Sequence, residues 1–292
     1  MNRIPRHIKA DLLLLAVAFV WGSTFVLIKD ALKTVGPYTF LGMRFLLAFV
    51  FLYLATFRRV QYLDRQTVKA GMVIGLALMS GYVFQTVGLQ YTTASNAAFI
   101  TGLSVVIVPI IISLYSRSLP GWSTLVSTLI ATAGLFLLTM NTSWSISYGD
   151  LLVLGCALGF ALHVVLVGRY TARLNPIGLT LIQILFVGLI TLGIGLFNEP
   201  WPPMINGSVL EALIITSIPA TALAFLIQNS VQRYTTPIRT AVIFITEPVF
   251  ATGFAYVWAG ERLGGQAILG CVLILAGMLA SELAGSGEDP QQ

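Results

Sequence analysis

Ten mostly apolar stretches follow one another along the chain with only short breaks between them, and that alone excludes most folds. They run approximately 11–29, 38–57, 69–90, 95–115, 121–140, 149–170, 176–197, 209–231, 240–259 and 265–284. An α-helix rises about 1.5 Å per residue, so roughly 20 apolar residues cover a hydrocarbon layer about 30 Å thick. The connections carry turn-forming residues, among them Gly36-Pro37, Leu119-Pro120-Gly121, Asn175-Pro176, Glu199-Pro200-Trp201-Pro202-Pro203 and Thr236-Pro237. No soluble domain fits between the stretches. Of the 292 residues, 57% are hydrophobic and 9% charged, against about 25% charged in an ordinary soluble domain. Such a chain cannot cover a water-facing surface, and lipid admits only structures that satisfy their own backbone. The expected fold is an all-α integral membrane protein with ten transmembrane helices.

The charges are placed as a membrane requires. The formal net charge is +5, yet the basic residues sit in short clusters between apolar runs, without the exposed aromatics of a nucleic-acid surface. Nucleic acid is therefore not expected as a partner; the lipid bilayer is. Lys and Arg accumulate on cytoplasmic loops. With the N-terminus inside, the inner segments hold Arg3, Arg6, Lys9, Arg58, Arg59, Arg65, Lys69, Arg117, Arg169, Arg173, Arg233 and Arg239. The outer segments hold Lys29, Lys33 and Arg262, and Arg44 lies within the second stretch. Both termini are thus expected in the cytoplasm. The first stretch follows a basic start but no small-residue cleavage site, and reads as an uncleaved span. Cys156 and Cys271 both lie inside apolar runs, which suggests neither a disulfide framework nor a metal site, and no cofactor is expected.

The two halves resemble each other. Phe84-Gln85 through Tyr91-Thr92-Thr93 parallels Ile227-Gln228 through Tyr234-Thr235-Thr236; Pro37 parallels Pro176, and Phe99-Ile100-Thr101 parallels Phe244-Ile245-Thr246. The offset drifts slowly, as in diverged copies with small insertions. Residues 1–145 read as a first five-helix repeat, 146–284 as a second, and 285–292 as a polar tail. Five is odd, so the second copy is expected upside down relative to the first, with any solute site near the repeat interface.

Ionisable groups within apolar stretches are costly and point to function. Glu247, beside Pro248 in the ninth stretch, suits a cationic amine or a proton, or else a helix end at a kink. His163 suits a carboxylate or a proton relay, or a hydrogen-bonded packing role. Arg44 either snorkels outward or pairs with a carboxylate in the bundle, and Lys29 either anchors at the interface or gates. Tyr82 and Gln85 share a helix face, as do Gln228 and Gln232. Gln85 and Gln228 match across the repeat, so they would stand on opposite walls of one cavity, or else glue neighbouring helices. With Trp21, Phe160 and Tyr256 they suit an amphipathic or zwitterionic solute, not a polyanion, which would call for Lys or Arg in the cavity. The substrate-binding candidates are Trp21, Tyr82, Gln85, Phe160, His163, Gln228 and Glu247. Gly71-x-x-x-Gly75, Gly155-x-x-x-Gly159, Gly270 and Gly277 allow close helix contact within the fold, and a monomer or weak self-association is expected. Pro109 and Pro219 are expected to kink their helices.

Over nearly its whole length the chain resembles the drug/metabolite transporter superfamily, specifically its EamA-type members. The resemblance is carried by Trp21-Gly22-Ser23-Thr24-Phe25 followed by Lys29, Gly36-Pro37 leading to Arg44-Phe45, Gly149-Asp150-Leu151-Leu152, Glu247-Pro248-Val249-Phe250, and Gly260-Glu261-Arg262-Leu263 ahead of Gly270 and Gly277. The first half departs from the pattern, reading Ser116-Arg117-Ser118-Leu119 where the Gly-Glu-Arg-Leu turn would recur. The resemblance implies two inverted five-helix halves around a central cavity, alternating access without ATP, and a place in the cell inner membrane. Within the family it points to amino-acid and metabolite exporters, including the YddG-like aromatic amino-acid exporters. The absence of a Gly-x-x-x-x-Gly-Lys-Ser/Thr sequence agrees with secondary transport. A membrane enzyme would need a cluster of His, Asp, Glu or Cys, a channel a filter or charged ring, and a sensor a soluble output domain; a transporter of small molecules is the reading these residues favour.

Overall fold

Proline and small polar residues set where the helices begin. The computed structural model describes residues 5–58, 63–139, 147–202, 204–259 and 264–285, and the described residues contain helices and turns with no strand. Pro37, Pro176 and Pro237 each open a helix, where the missing N–H costs nothing. Asp64, Thr93, Asn175, Asn206 and Thr236 each cap one by accepting from a backbone N–H in the first turn. The bond from Thr67 holds the exposed Asp64 carboxyl below the usual carboxylate range. Ser147 and Asp150 form a reciprocal capping box.

In chain order the helices are α1 (Arg6–Gly22), α2 (Thr24–Ala31), α3 (Pro37–Thr56), α4 (Arg65–Gly88), α5 (Ala94–Gly102), α6 (Ser104–Ser116), α7 (Trp122–Thr139), α8 (Tyr148–Thr171), α9 (Pro176–Asn198), α10 (Gly207–Ser217), α11 (Ala224–Val231), α12 (Pro237–Phe244), α13 (Glu247–Ala259) and α14 (Gly265–Gly285). A π-helical turn, Ile218–Leu223, joins α10 to α11. Among the described residues seven segments are long and apolar enough to cross a membrane: Arg6–Ala31, Pro37–Thr56, Arg65–Gly88, Asn96–Ser116, Tyr148–Thr171, Pro176–Asn198 and Gly207–Tyr234. Trp122–Leu138 and Gly265–Ser281 are shorter apolar helices. The ninth apolar stretch is not one helix but α12 and α13. The Gly-Glu-Arg-Leu turn at 260–263 and the tail beyond Gly285 lie outside the described residues.

Three helix pairs that the sequence reads as single spans are interrupted, at Ser23, at Leu103 and at Ile245-Thr246. At each interruption an N–H turns to the carbonyl three residues back: Ser23 to Val20, Leu103 to Ile100, and Thr246 to Ile243. At two of them a hydroxyl competes for the same carbonyl, Ser23 Oγ donating to Val20 at 2.7 Å and Thr246 Oγ1 to Ile243 at 2.6 Å. The distortion expected at Pro248 falls in the turn before it, at Ile245-Thr246, because the proline has no N–H to offer the Phe244 carbonyl, and the Thr246 hydroxyl adds to it. Pro109 sits inside α6, whereas Pro219 lies in the π-helical turn.

Close packing depends on small residues. α3 runs along α9, α4 along α8 and α9, and α7 along α14. A methyl added at Gly71 would stand 2.7 Å from Ile182, one at Gly159 2.6 Å from the Gly81 nitrogen, and one at Gly270 2.5 Å from the Leu138 nitrogen. These glycines are used inside the fold, as expected. One buried cluster, including Phe45, Leu78, Tyr82, Ile184 and Phe225, ties α3, α4, α9 and α11 together. Another, including Val108, Leu135, Val164, Val242 and Ile274, ties α6, α7, α8, α12 and α14. Large apolar side chains such as Val26, Leu114 and Phe197 point outward, as lipid allows and water does not.

Candidate functional site

All three helix interruptions open onto one cavity. It is lined by Trp21 and Thr24 at the first, Thr101, Gly102 and Ser104 at the second, and Phe244, Ile245, Glu247 and Pro248 at the third, with Arg44, Tyr82, Gln85, Phe160, His163, Phe225 and Gln228 from α3, α4, α8 and α11. Irregular backbone at membrane depth is tolerated where it lines a cavity or is buried in protein. Of the matching stretches, Phe99-Ile100-Thr101 ends two residues before the interruption at Leu103, and Phe244-Ile245-Thr246 contains the one at Ile245-Thr246. The cavity encloses about 70 Å³ open to the centre of a water molecule, against about 10–15 Å³ for one water.

Every substrate-binding candidate from the sequence, Trp21, Tyr82, Gln85, Phe160, His163, Gln228 and Glu247, lines this cavity. Tyr256 does not; it lies on α13 and is 56% exposed. Aromatic rings form much of the wall. Trp21 stands edge-on to Phe244 at 4.9 Å between ring centroids, Tyr82 edge-on to Phe160 at 5.1 Å, and His163 edge-on to Phe225 at 5.6 Å. Phe225 and Phe244 were not singled out from the sequence, because an aromatic in an apolar helix looks the same whether it faces cavity, core or lipid.

Polar groups in the wall are held by defined partners. In the π-helical turn the Ala220 carbonyl accepts from Trp21 Nε1 at 2.8 Å. Arg44 Nε donates to Thr221 Oγ1 in the same turn at 2.8 Å, while Nη2 reaches Tyr82 Oη at 3.3 Å and the Ala220 carbonyl at 3.5 Å. Arg44 is 1% exposed, which corrects the snorkelling expectation. Nor is it in ion-pair contact with a carboxylate among the described residues; its short partners are neutral. His163 Nε2 and Gln183 Oε1 are 3.0 Å apart. Gln85 Nε2 donates to Thr101 Oγ1 at 3.2 Å across the second interruption. Gln232 Nε2 donates to the Val164 carbonyl at 2.6 Å, so its Oε1 turns to accept from Gln228 Nε2 at 3.0 Å. That chain leaves Gln228 Oε1 buried without a partner. The Glu247 side chain, too, makes no hydrogen bond among the described residues.

Two charges outside the cavity differ from expectation. Arg239, read as a loop residue, is 9% exposed, and its Nη2 meets Asp11 Oδ2 at 2.9 Å, pinning α12 to α1. Asp11 was passed over because it stands near the start of its span, where a charge is cheap. Lys29 is exposed and donates to the Thr92 carbonyl at 3.3 Å, in keeping with interfacial anchoring.

Comparison with known proteins places this geometry. The profile of the EamA-like transporter family matches residues 8–140 and again 147–281. A protein of Archaeoglobus fulgidus named "Uncharacterized transporter" is 35% identical over 278 residues, covering 95% of this chain and 87% of the relative. The S-adenosylmethionine/S-adenosylhomocysteine transporter of Chlamydia muridarum is 25% identical over 286 residues, covering 88% of each chain. A solved crystal structure superposes with a TM-score of 0.81 at 17% identity, covering 96% of this chain and 99% of its own, which speaks for the fold alone.

Proposed function

The chain belongs to the EamA-like transporter family, and from that premise we propose that it is a secondary transporter exporting small amphipathic metabolites, chiefly amino acids, across the cell inner membrane. The observation that carries this reading is one cavity that holds a guanidinium, a carboxyl, two carboxamides, an imidazole and an aromatic wall. Such a lining offers hydrogen bonds to both ends of a zwitterion and apolar contact to its side chain. It would leave a polyanion with one cation only. The Chlamydia muridarum relative supports the class, since both solutes in its name carry an amino-acid end.

The proposed mechanism is alternating access between two inverted five-helix halves, residues 1–145 and 146–284, that make ten crossings with both termini in the cytoplasm. Support comes from the two matches to one family profile and from the interruptions at Leu103 and at Ile245-Thr246, which fall in corresponding spans of the two halves. Discontinuous helices around a midplane site are how secondary transporters build a solute site that rocking bundles can expose to either face. In this reading Trp21, Tyr82, Gln85, Phe160, His163, Gln228 and Glu247 contact the solute.

Uptake into proteoliposomes, with a panel of labelled amino acids, nucleosides and sugars, tests the reading. Saturable uptake of amino acids is expected. If nucleosides or sugars move and amino acids do not, the substrate class falls. If nothing moves, transport itself gives way to a non-transporting sensor.

A further inference from the structure

We infer that Arg44 and Glu247 are the two poles of a zwitterion site, Arg44 taking the solute's carboxylate and Glu247, with Gln228 Oε1, its ammonium group. This rests on the transport reading above and assigns the recognition chemistry within it.

Arg44 is arranged as a receptor. Three hydrogen bonds hold Nε and Nη2, and the guanidinium carbon stands 4.7 Å from the centroid of the Tyr82 ring. The planar fork is therefore fixed in direction before any solute arrives. Nη1 has no hydrogen-bond partner among the described residues, although guanidinium carries five donors. A carboxylate is the group that best uses a fixed guanidinium. A purely structural clamp between α3 and the π-helical turn would not need a charge: a neutral donor to Thr221 would serve, without the cost of burying a cation.

The opposite pole is complementary. Glu247 begins α13, lines the cavity and spends neither oxygen on a hydrogen bond. Gln228 is fully buried, lines the cavity, and is oriented by Gln232 so that it presents an unused acceptor. An ammonium group has three donors and no acceptor, so these acceptors match it. The two poles interact electrostatically without contact. A zwitterion between them would complete both at once, whereas a simple amine or a simple acid would leave one buried charge uncompensated.

The test measures inhibition of labelled amino-acid counterflow in proteoliposomes by matched trios: L-leucine, 3-methylbutylamine and 4-methylpentanoate, with L-phenylalanine, 2-phenylethylamine and 3-phenylpropanoate in parallel. The wild type is expected to prefer each amino acid over its amine and acid analogues by about tenfold or more, the worth of one charge-assisted bond. Arg44→Gln should erase the preference over the amine and keep that over the acid. Glu247→Gln should do the reverse, and Arg44→Lys should keep part of the carboxylate preference. Because each ratio is taken within one preparation, a smaller folded fraction does not move it. If both Gln variants weaken all three compounds of a trio equally, or if the wild type carries amino acids without discriminating within a trio, the inference is overturned. A wild type that carries no amino acid fails the amino-acid reading of the proposed function, before any variant is made.

Discussion

Gly22 lies so close to Glu247 that a methyl group at position 22 would stand 2.8 Å from the Glu247 carbonyl oxygen. Two motifs far apart in the chain, Trp21-Gly22 and Glu247-Pro248, thus meet backbone to backbone, and α1 sets where the carboxyl-bearing end of α13 sits. Gly22→Ala should force the helices apart, lowering stability by about 1–3 kcal/mol, the usual cost of overpacking. It should also reduce transport by displacing Glu247. Gly253→Ala, on α13 with Glu247 but with nothing within 4 Å of the new methyl, is the control. Thermal unfolding in detergent and uptake rate check both, and equal behaviour of the two variants would count against the crossing as described.

Asp11 and Arg239 form a buried ion pair between α1 and α12. Both members are nearly buried, so Asp11→Asn and Arg239→Gln, each of which weakens the charge-assisted bond between α1 and α12, should each lower stability by about 1–3 kcal/mol. The double variant should be less damaged than the sum of the singles. Purely additive losses in unfolding temperature would show that the pair contributes no coupling.

Trp21→Phe keeps a ring in the cavity wall but removes the donor to the Ala220 carbonyl. The loss of one such internal bond should lower stability by about 1 kcal/mol. The concentration for half-maximal uptake should also rise, because the ring is no longer held in place at the wall. An unchanged uptake curve would remove Trp21 from the positioning of this wall.

The proposed orientation predicts that Asn2→Cys and Gln291→Cys, each in a background with Cys156→Ala and Cys271→Ala, react with an impermeant thiol reagent only after the cells are permeabilised. Labelling of one terminus but not the other in intact cells would break the inverted five-plus-five arrangement, and labelling of both would reverse the orientation.

Much of the candidate site was legible because polarity is expensive in lipid. Gln85, Gln228, His163 and Glu247 stood out against apolar surroundings, and all of them line the cavity. Arg44 was equally visible, but its direction was not: only packing shows that its guanidinium turns inward to the π-helical turn. Phe225 and Phe244 left no signal because aromatic rings are at home on every face of a membrane helix. The interruptions at Ser23 and Leu103 were missed because no proline stands beside them, whereas Pro248 marked the one at Ile245-Thr246. At Ser23 a hydroxyl competes for the Val20 carbonyl, a choice too fine for hydropathy to register.

By itself the sequence determined the solvent and the class of the molecule. A chain this apolar, cut into helix-length runs, has to satisfy its backbone within lipid as a helical bundle, and its motifs mark it as a member of the EamA-like family. Only the tertiary structure decided which polar groups meet. Periodicity fixes what lies on one face of one helix, but the convergence of α1, α3, α4, α8, α11 and α13 on a single cavity depends on how the helices cross. Those crossings are set by small residues and close backbone contacts, which a one-dimensional pattern does not encode.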